Sequence, residues 1–238
     1  MPPVSGPAAP LHLRPATALA ERVLLPGDPH RALAVAQSLL DAPLMFNHAR
    51  GLWGYTGTAP DGRSLTVQST GMGGPSAAIV VEELISLGAR TLIRIGTCGA
   101  LVDGFELGQL VAARQVLCAD GTSAALGAGD RLRADPALTA GLERAGARPV
   151  RAVSNDLFYH AREEAVGDWI ATGAEVVEME AATLLAVAAR HGARAAVLLA
   201  VSDLLGGEGR ERIGPDTLEQ AGIRLGEVGY AGLRATVG

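Results

Sequence analysis

The chain has 238 residues, enough for a sizeable core and within what one α/β domain occupies. Hydrophobic residues make up 48%, aromatics only 3%, and the formal charge is -5, so the chain has neither the basic stripe nor the stacking aromatics that nucleic-acid binding draws on. Two cysteines give no spaced metal set and no disulfide framework, no apolar run reaches the length of about 18 residues a membrane span needs, and the Pro- and Ala-rich lead over residues 1–20 lacks a signal peptide's basic start; a cytoplasmic protein forming one domain over 1–238 is expected.

After that lead, "ERVLLPGDPHRALAVAQSLL" predicts a strand at Arg22–Leu25, a Pro-Gly-Asp-Pro turn and a helix from Pro29. "GLWGYTGTAPDGRSLTVQSTG" alternates apolar and small polar residues around Pro60-Asp61-Gly62, the pattern of a hairpin. "GGPSAAIVVEELISLGA" predicts a helix opened by Gly-Pro-Ser and closed near Gly88, followed by the strand "RTLIRIG". Strand "QLVAARQVLC" leads into residues 119–135, a Gly/Ala-rich stretch without periodicity that reads as loop. Helix "PALTAGLERAGA", strand "PVRAVSN", helix "AREEAVGDWIATG", strand "AEVVEM", helix "EAATLLAVAARHG", strand "RAAVLLAVSD" and a closing helix over 214–233 complete the chain. This alternation predicts a mixed, largely parallel sheet covered by helices.

Ligands of open α/β sheets bind beyond strand ends, which singles out the polar residues there. They are Gly27, Asp28 and Arg31 after the first strand, Arg94 and Thr97 in "LIRIGTCGA", the pair Glu178 and Glu180 around Met179 in "VVEMEAA", and Ser202-Asp203 after "LLAV". Arg94 with a Thr hydroxyl and turn N–H groups would hold a small oxyanion; a strand-end arginine before a tight turn is the plainer alternative. Asp203 stands between a turn or cap residue and an acid catalyst. Two carboxylates in an apolar run require partners, water or a task, because burying an unpaired carboxylate costs several kcal/mol. His12 and His160 have no metal-ligand spacing, so no metal site is expected, and "GMGG" at 71–74 lacks the third glycine of a dinucleotide fingerprint.

Taken in order, "LLPGDPHRA", "RGLWGYTGT", "STGMGGPSAAIVVEEL", "IRIGTCGA", "SNDLFY", "VVEMEAA" and "AVSD" resemble the hexameric purine nucleoside and uridine phosphorylase family. The resemblance spans roughly His12 to Asp203. It implies a nucleoside phosphorylase fold, with a central mixed sheet forming a distorted barrel surrounded by helices. It also implies phosphorolysis of a ribonucleoside to free base and ribose 1-phosphate, with inorganic phosphate as co-substrate, no metal or organic cofactor, and a hexamer built as a trimer of dimers.

By the same resemblance, Gly27, Arg31, Arg94, Thr97 and, from the neighbouring subunit, Arg50 of "NHARG" would bind phosphate. His12, also from the neighbour, would meet the ribose 5'-hydroxyl; Phe158 would line the base and sugar pocket, with Ser202 beside it. Met179 would pack on the ribose, Glu180 would accept from its 2'- and 3'-hydroxyls with Glu178 flanking, and Asp203 would protonate purine N7.

"VSD" resembles the purine members, whereas uridine phosphorylases carry Gln-x-Arg after "FY"; here "FYHAREEAV" has Arg162 and no glutamine. A 5'-methylthioadenosine phosphorylase of the same fold stays open as an alternative, against which His12 argues, and so does a nucleoside-binding protein that lost catalysis, against which Asp203 and Glu180 argue. A nucleosidase would not need Arg31, Arg50 and Arg94. Family members also carry an arginine after "SD" that assists the aspartate, and in "LLGGEGRERIGPD" both Arg210 and Arg212 are candidates.

Overall fold

The computed structural model of the chain describes residues 10–159, 163–206 and 209–235. His160 and Arg162 lie outside the described residues, as does the first part of the N-terminal lead. β1 (Arg22–Leu25) is buried along its length, and α1 (Pro29–Leu39) starts where Asp28 accepts the Arg31 amide at 2.8 Å and Pro29 presets the first turn. β2 (Asp41–Asn47), β3 (Gly54–Thr58) and β4 (Ser64–Gln68) form antiparallel hairpins, and α2 (Gly74–Ser86) leads into β5 (Thr91–Ala100). β2 was not expected: it opens Asp-Ala-Pro, and Pro43 is tolerated because the strand lies at the edge of the sheet.

β6 (Leu110–Ala119) is followed by elements where a loop was expected. Asp120 caps the short helix α3 (Gly121–Ala125) by accepting the Ser123 amide at 2.7 Å, and β7 (Arg131–Arg133) is pinned to β6 by the pairing Leu132↔Val116. Then come α4 (Pro136–Arg144), β8 (Arg148–Asn155), α5 (Glu163–Ala171), β9 (Val176–Glu178), α6 (Ala181–Arg190), β10 (Arg194–Leu204), the two-residue β11 (Glu211–Arg212) and α7 (Pro215–Arg234).

All eleven strands among the described residues join one sheet in the order β11-β10-β6-β8-β9-β5-β1-β4-β3-β2, with β7 beside β6. A further pairing of β10 with β5 closes β10, β6, β8, β9 and β5 into a barrel-like ring. Within it β5 and β10 run parallel to β1 and β4, while β6, β8 and β9 run against them. The core fills from both faces of these strands, with Ile93, Ile95, Val197 and Leu198 wholly buried. α7 lies flush on the sheet because Gly229 has no side chain: a Cβ there would stand 3.0 Å from both Ile95 and Leu24.

The ring corrects one expectation. "LIRIG" does not end a strand: β5 continues through Ala100 because β10 pairs with it as far as Leu204↔Ala100. Arg94 therefore sits in the middle of a strand, and Gly96 and Thr97 are partnered with Leu199 and Ala200 instead of forming a turn with exposed N–H groups. Among the described residues, no helix is long and apolar enough to cross a membrane.

Candidate functional site

β9 runs against the C-terminal end of β5, pairing Val176 with Ala100 and Val177 with Gly99, so its last residue, Glu178, leads back along that longer strand toward Arg94. This brings Glu178 to Arg94: the Arg94 Nε donates to Glu178 Oε2 at 2.9 Å. The same carboxylate accepts the Ser154 hydroxyl and the backbone N–H groups of Glu180 and Ala181, both at 2.9 Å. Glu178 thus stabilises the N-terminus of α6, whose dipole favours a negative charge there, and fixes the arginine at once. Its side chain is fully buried. Burial pushes its pKa up, against the pull of Arg94, and the nearby charge of Glu180 pushes the same way. Its carboxylate is spent within the chain.

Glu180 occupies the N-cap position of α6 without capping it. One oxygen accepts the Gly73 amide at 2.7 Å and the other is paired with Arg94 Nη2. Gly73 is the N-cap of α2 at φ 81°, a backbone conformation that favours glycine, so "GMGG" presents an amide to Glu180 rather than cradling a dinucleotide. Met179, between the two glutamates, is half-buried.

Arg94 is 5% exposed, and with Nε and Nη2 engaged its Nη1 is buried without a partner among the described residues. Burial alone would lower its pKa, but the charges of Glu180 and Glu178 carry it above the ordinary guanidinium value. A small cavity beside it is lined by Glu180, Thr70, Leu25 and the inner faces of α2 and α6. Arg31, in the first turn of α1, lays its stem over Gly222 of α7. Burial lowers the Arg31 pKa, Asp28 opposes this, and the charge of Arg94 lowers it further, so the two guanidinium groups lie within electrostatic reach. Gly27 accepts the Gly71 amide through its carbonyl at 3.1 Å, tying the β1 turn to the "GMGG" loop. Thr97 is half-buried three residues beyond Arg94.

Arg50 differs from these. It is exposed, has no side-chain partner among the described residues, and holds φ 59°, a conformation costly for a side chain other than glycine. It stands at the edge of the sheet, between β2 and β3.

On the neighbouring strand, a bulge at Ser202 interrupts the β10–β5 register and turns Asp203. Asp203 is 5% exposed; its Oδ2 accepts the Ser202 hydroxyl at 2.8 Å and its Oδ1 accepts Arg210 Nε at 2.8 Å. Arg212, directly opposite Asp203 in the β10–β11 pairing, comes no nearer than 3.8 Å. The guanidinium of Arg210 also lies 5.0 Å over the ring of Phe158, which is half exposed and edge-to-face with Tyr159. Asp203, Arg210 and Phe158 therefore form one group.

His12 stands apart in its own chain. Its Nδ1 meets Glu83 Oε1 at 2.7 Å, and Glu83 lies ten residues beyond Gly73 along α2. At 1.5 Å per residue that is about 15 Å from the Glu180 contact.

The structure thus joins Arg94, Glu178 and Glu180 directly, brings Arg31 within reach of them, places Asp203, Ser202 and Phe158 together, and leaves His12 and Arg50 outside. It gives roles to residues that motif reading left without one, Ser154, Gly73 and Glu83, and of the two arginines the sequence offers for Asp203 it pairs Arg210. Ser154 opens the stretch "SNDLFY" at the end of an apolar strand, yet nothing in its local sequence points to Glu178. Among the described residues no cluster of His, Cys, Asp and Glu could hold a metal ion. Both cysteines are free, and burial pushes the Cys98 thiol up.

The chain is similar to known proteins over most of its length. The family described as Phosphorylase superfamily matches residues 21–230. A purine nucleoside phosphorylase DeoD-type from Clostridium beijerinckii is 38% identical over 200 residues, covering 79% of this chain and 83% of that protein. The protein of the same name from Caldanaerobacter subterraneus is 39% identical over 199 residues, covering 79% and 84%. That from Geobacillus kaustophilus is 39% identical over 200 residues, covering 80% and 84%.

Proposed function

The chain belongs to the phosphorylase superfamily, and from that premise we propose that it cleaves purine ribonucleosides with inorganic phosphate, releasing the base and ribose 1-phosphate in the cytoplasm. The observation that carries the reading is Arg94. One buried guanidinium holds Glu180 with one nitrogen and keeps another unpaired, so an anion site and a carboxylate suited to ribose hydroxyls meet at a single side chain.

The chemistry follows from those charges. As the bond from C1' to the base breaks, the ribose becomes cationic and the base anionic, and a phosphate oxygen forms the new bond to C1'. Arg94 and Arg31 hold the phosphate, with Gly27 and Thr97 beside them, and Glu180 accepts from the 2'- and 3'-hydroxyls while its charge favours the cationic sugar. Met179 packs on the ribose and Phe158 on the base. Asp203, in its protonated form, delivers its proton to N7 of the leaving purine, and Arg210 stabilises the carboxylate that remains. Inorganic phosphate is the co-substrate, and neither metal nor organic cofactor takes part.

Arg50 and His12 complete the site from a neighbouring subunit, in a hexamer of three dimers. Two observations support this: Arg50 is exposed and unpaired in its own chain among the described residues, and His12 lies about 15 Å from its own Glu180 contact. The decisive assay incubates the protein with inosine, adenosine, guanosine, uridine and 5'-methylthioadenosine, with and without phosphate. Purine release that depends on phosphate is expected; release that ignores phosphate, or uridine as the best substrate, defeats the reading.

A further inference from the structure

The carboxylate of Glu83 gathers four donors from the N-terminal lead. Three successive backbone amides turn onto it, Leu11 at 3.1 Å, His12 at 3.0 Å and Leu13 at 2.7 Å, and His12 Nδ1 is the fourth at 2.7 Å. Consecutive amides converging on one anion make a backbone nest, here closed by a side chain of α2. One group therefore fixes both the backbone and the ring of His12.

The chemistry of the pair sets the ring's orientation and tautomer. Burial pushes Glu83 up, but the amides of Leu13, His12 and Leu11 and the His12 ring together carry it below the ordinary carboxylate range. An ionised carboxylate only accepts, so Nδ1 must carry the hydrogen, and in neutral imidazole Nε2 is then a bare acceptor. The His12 side chain is 34% exposed, against 13% for Glu83, so the ring remains open to a further group. A hydroxyl can donate to it; a thioether or a methyl group cannot.

We infer that Glu83 is a positioning residue that presents His12 as a hydrogen-bond acceptor to the 5'-hydroxyl of a nucleoside in the neighbouring subunit, and so selects nucleosides with a free 5'-hydroxyl over their 5'-deoxy and 5'-alkylthio counterparts. This rests on the proposed phosphorylase reading and on His12 serving the adjacent site.

The test compares adenosine with 5'-deoxyadenosine in the assembled enzyme, for wild type, Glu83→Gln, His12→Ala and the double variant. Losing one neutral hydrogen bond should cut kcat/KM for adenosine by about fivefold to tenfold more than for 5'-deoxyadenosine in each single variant, the ratio between the two substrates being the readout. The double variant should lose no more than His12→Ala alone. The ring nitrogens of His12, assigned by difference from His12→Ala in a 15N spectrum, should show the Nδ1–H tautomer in wild type. A Glu83→Gln enzyme that keeps the preference while His12→Ala loses it overturns the inference alone. A preference unchanged in His12→Ala overturns the His12 assignment and the inference with it. If Glu83→Gln does not assemble, the wild-type spectrum decides, since an Nε2–H tautomer overturns the inference.

Discussion

Arg210 meets Asp203 through two nitrogens on a single oxygen, Nε at 2.8 Å and Nη2 at 2.7 Å from Oδ1, while Ser202 serves the other oxygen at 2.8 Å. The bulge at Ser202 and the short β11 pairing create this arrangement, because they turn the strand end back so that residues after Asp203 fold over it. An acid that gives up its proton leaves a carboxylate, and the guanidinium is already placed to receive that charge.

Arg210→Gln should therefore lower kcat for inosine and adenosine by about 10- to 100-fold, less than the roughly 100- to 10,000-fold that the acid itself contributes, because the acid stays in place. Nucleosides whose base leaves without protonation, such as 7-methylguanosine, should lose far less. Arg212→Gln, removing a cation 3.8 Å away and largely exposed, should behave like wild type. Steady-state kinetics on both substrates checks this; equal losses for the two substrates in Arg210→Gln would remove Arg210 from the proton-transfer step.

Glu180→Gln should discriminate by sugar. The carboxylate holds two internal donors, Gly73 N–H and Arg94, against the larger set on Glu178, which leaves it lone pairs for ribose hydroxyls. Hydrogen bonds to a charged group contribute about 1.5–3 kcal/mol, so kcat/KM for a ribonucleoside should fall at least tenfold more than for its 2'-deoxy counterpart. The ratio between the two substrates is the readout, since any loss of stability affects both alike. An unchanged ratio would count against the assignment.

The residues legible in the sequence were those whose local chemistry points one way. Pro-Gly-Asp-Pro places the start of α1 through Asp28 and Pro29, Pro60-Asp61-Gly62 marks the β3–β4 turn, and the apolar runs mark β1, β5, β6 and β10. Segments that depend on a distant partner were not. β2 and β7 exist because an edge offers itself for pairing, and β11 is two residues long. Arg94 looked like a strand-end residue because the strand "RTLIRIG" runs into a glycine-bounded Thr97 that reads as a turn; only the pairing with β10 keeps the chain extended to Ala100. Arg210 and Arg212 are indistinguishable by motif, and cross-strand register alone would favour Arg212, yet the bonds come from Arg210. Glu178 and Glu180 show the same limit. Both were visible as anomalous carboxylates, but their division of labour follows from which one reaches Ser154 and the start of α6.

Acid should weaken the fold through Asp61. In the hairpin turn its carboxylate pairs both oxygens with Arg22, at 2.6 Å and 3.0 Å, and its amide donates to the Tyr230 hydroxyl at 2.8 Å, joining the turn to β1 and α7. The Arg22 hydrogen bonds hold its pKa at about 2, against an ordinary value near 3.9. A depressed folded-state value means the stabilisation is present above the unfolded value and is lost as pH falls from about 4 to about 2. Urea midpoints of wild type and Asp61→Asn should differ at pH 6 and converge toward pH 2. A gap constant with pH would show that Asp61 acts through packing rather than charge.

The heaviest stability cost should fall on Glu178. Its side chain has no solvent exposure and accepts from Arg94, from Ser154 and from two amides at the start of α6. Glu178→Gln keeps the shape but turns an NH2 toward donors that need an acceptor, and it deprives a buried guanidinium of one of its two anions. Breaking a buried pair on one side costs about 3–5 kcal/mol, well above the 0–1 kcal/mol of an exposed pair. Arg114 and Glu143 supply that exposed control, at 2.6 Å with the arginine 61% exposed. Urea unfolding should therefore separate Glu178→Gln from Glu143→Gln by several-fold in lost stability. Activity of Glu178→Gln should fall for ribo- and 2'-deoxyribonucleosides alike, because a displaced Arg94 weakens phosphate binding without regard to the 2'-hydroxyl. A Glu178→Gln protein as stable as Glu143→Gln, or one that discriminates by sugar as Glu180→Gln should, would reverse the roles assigned to the two glutamates.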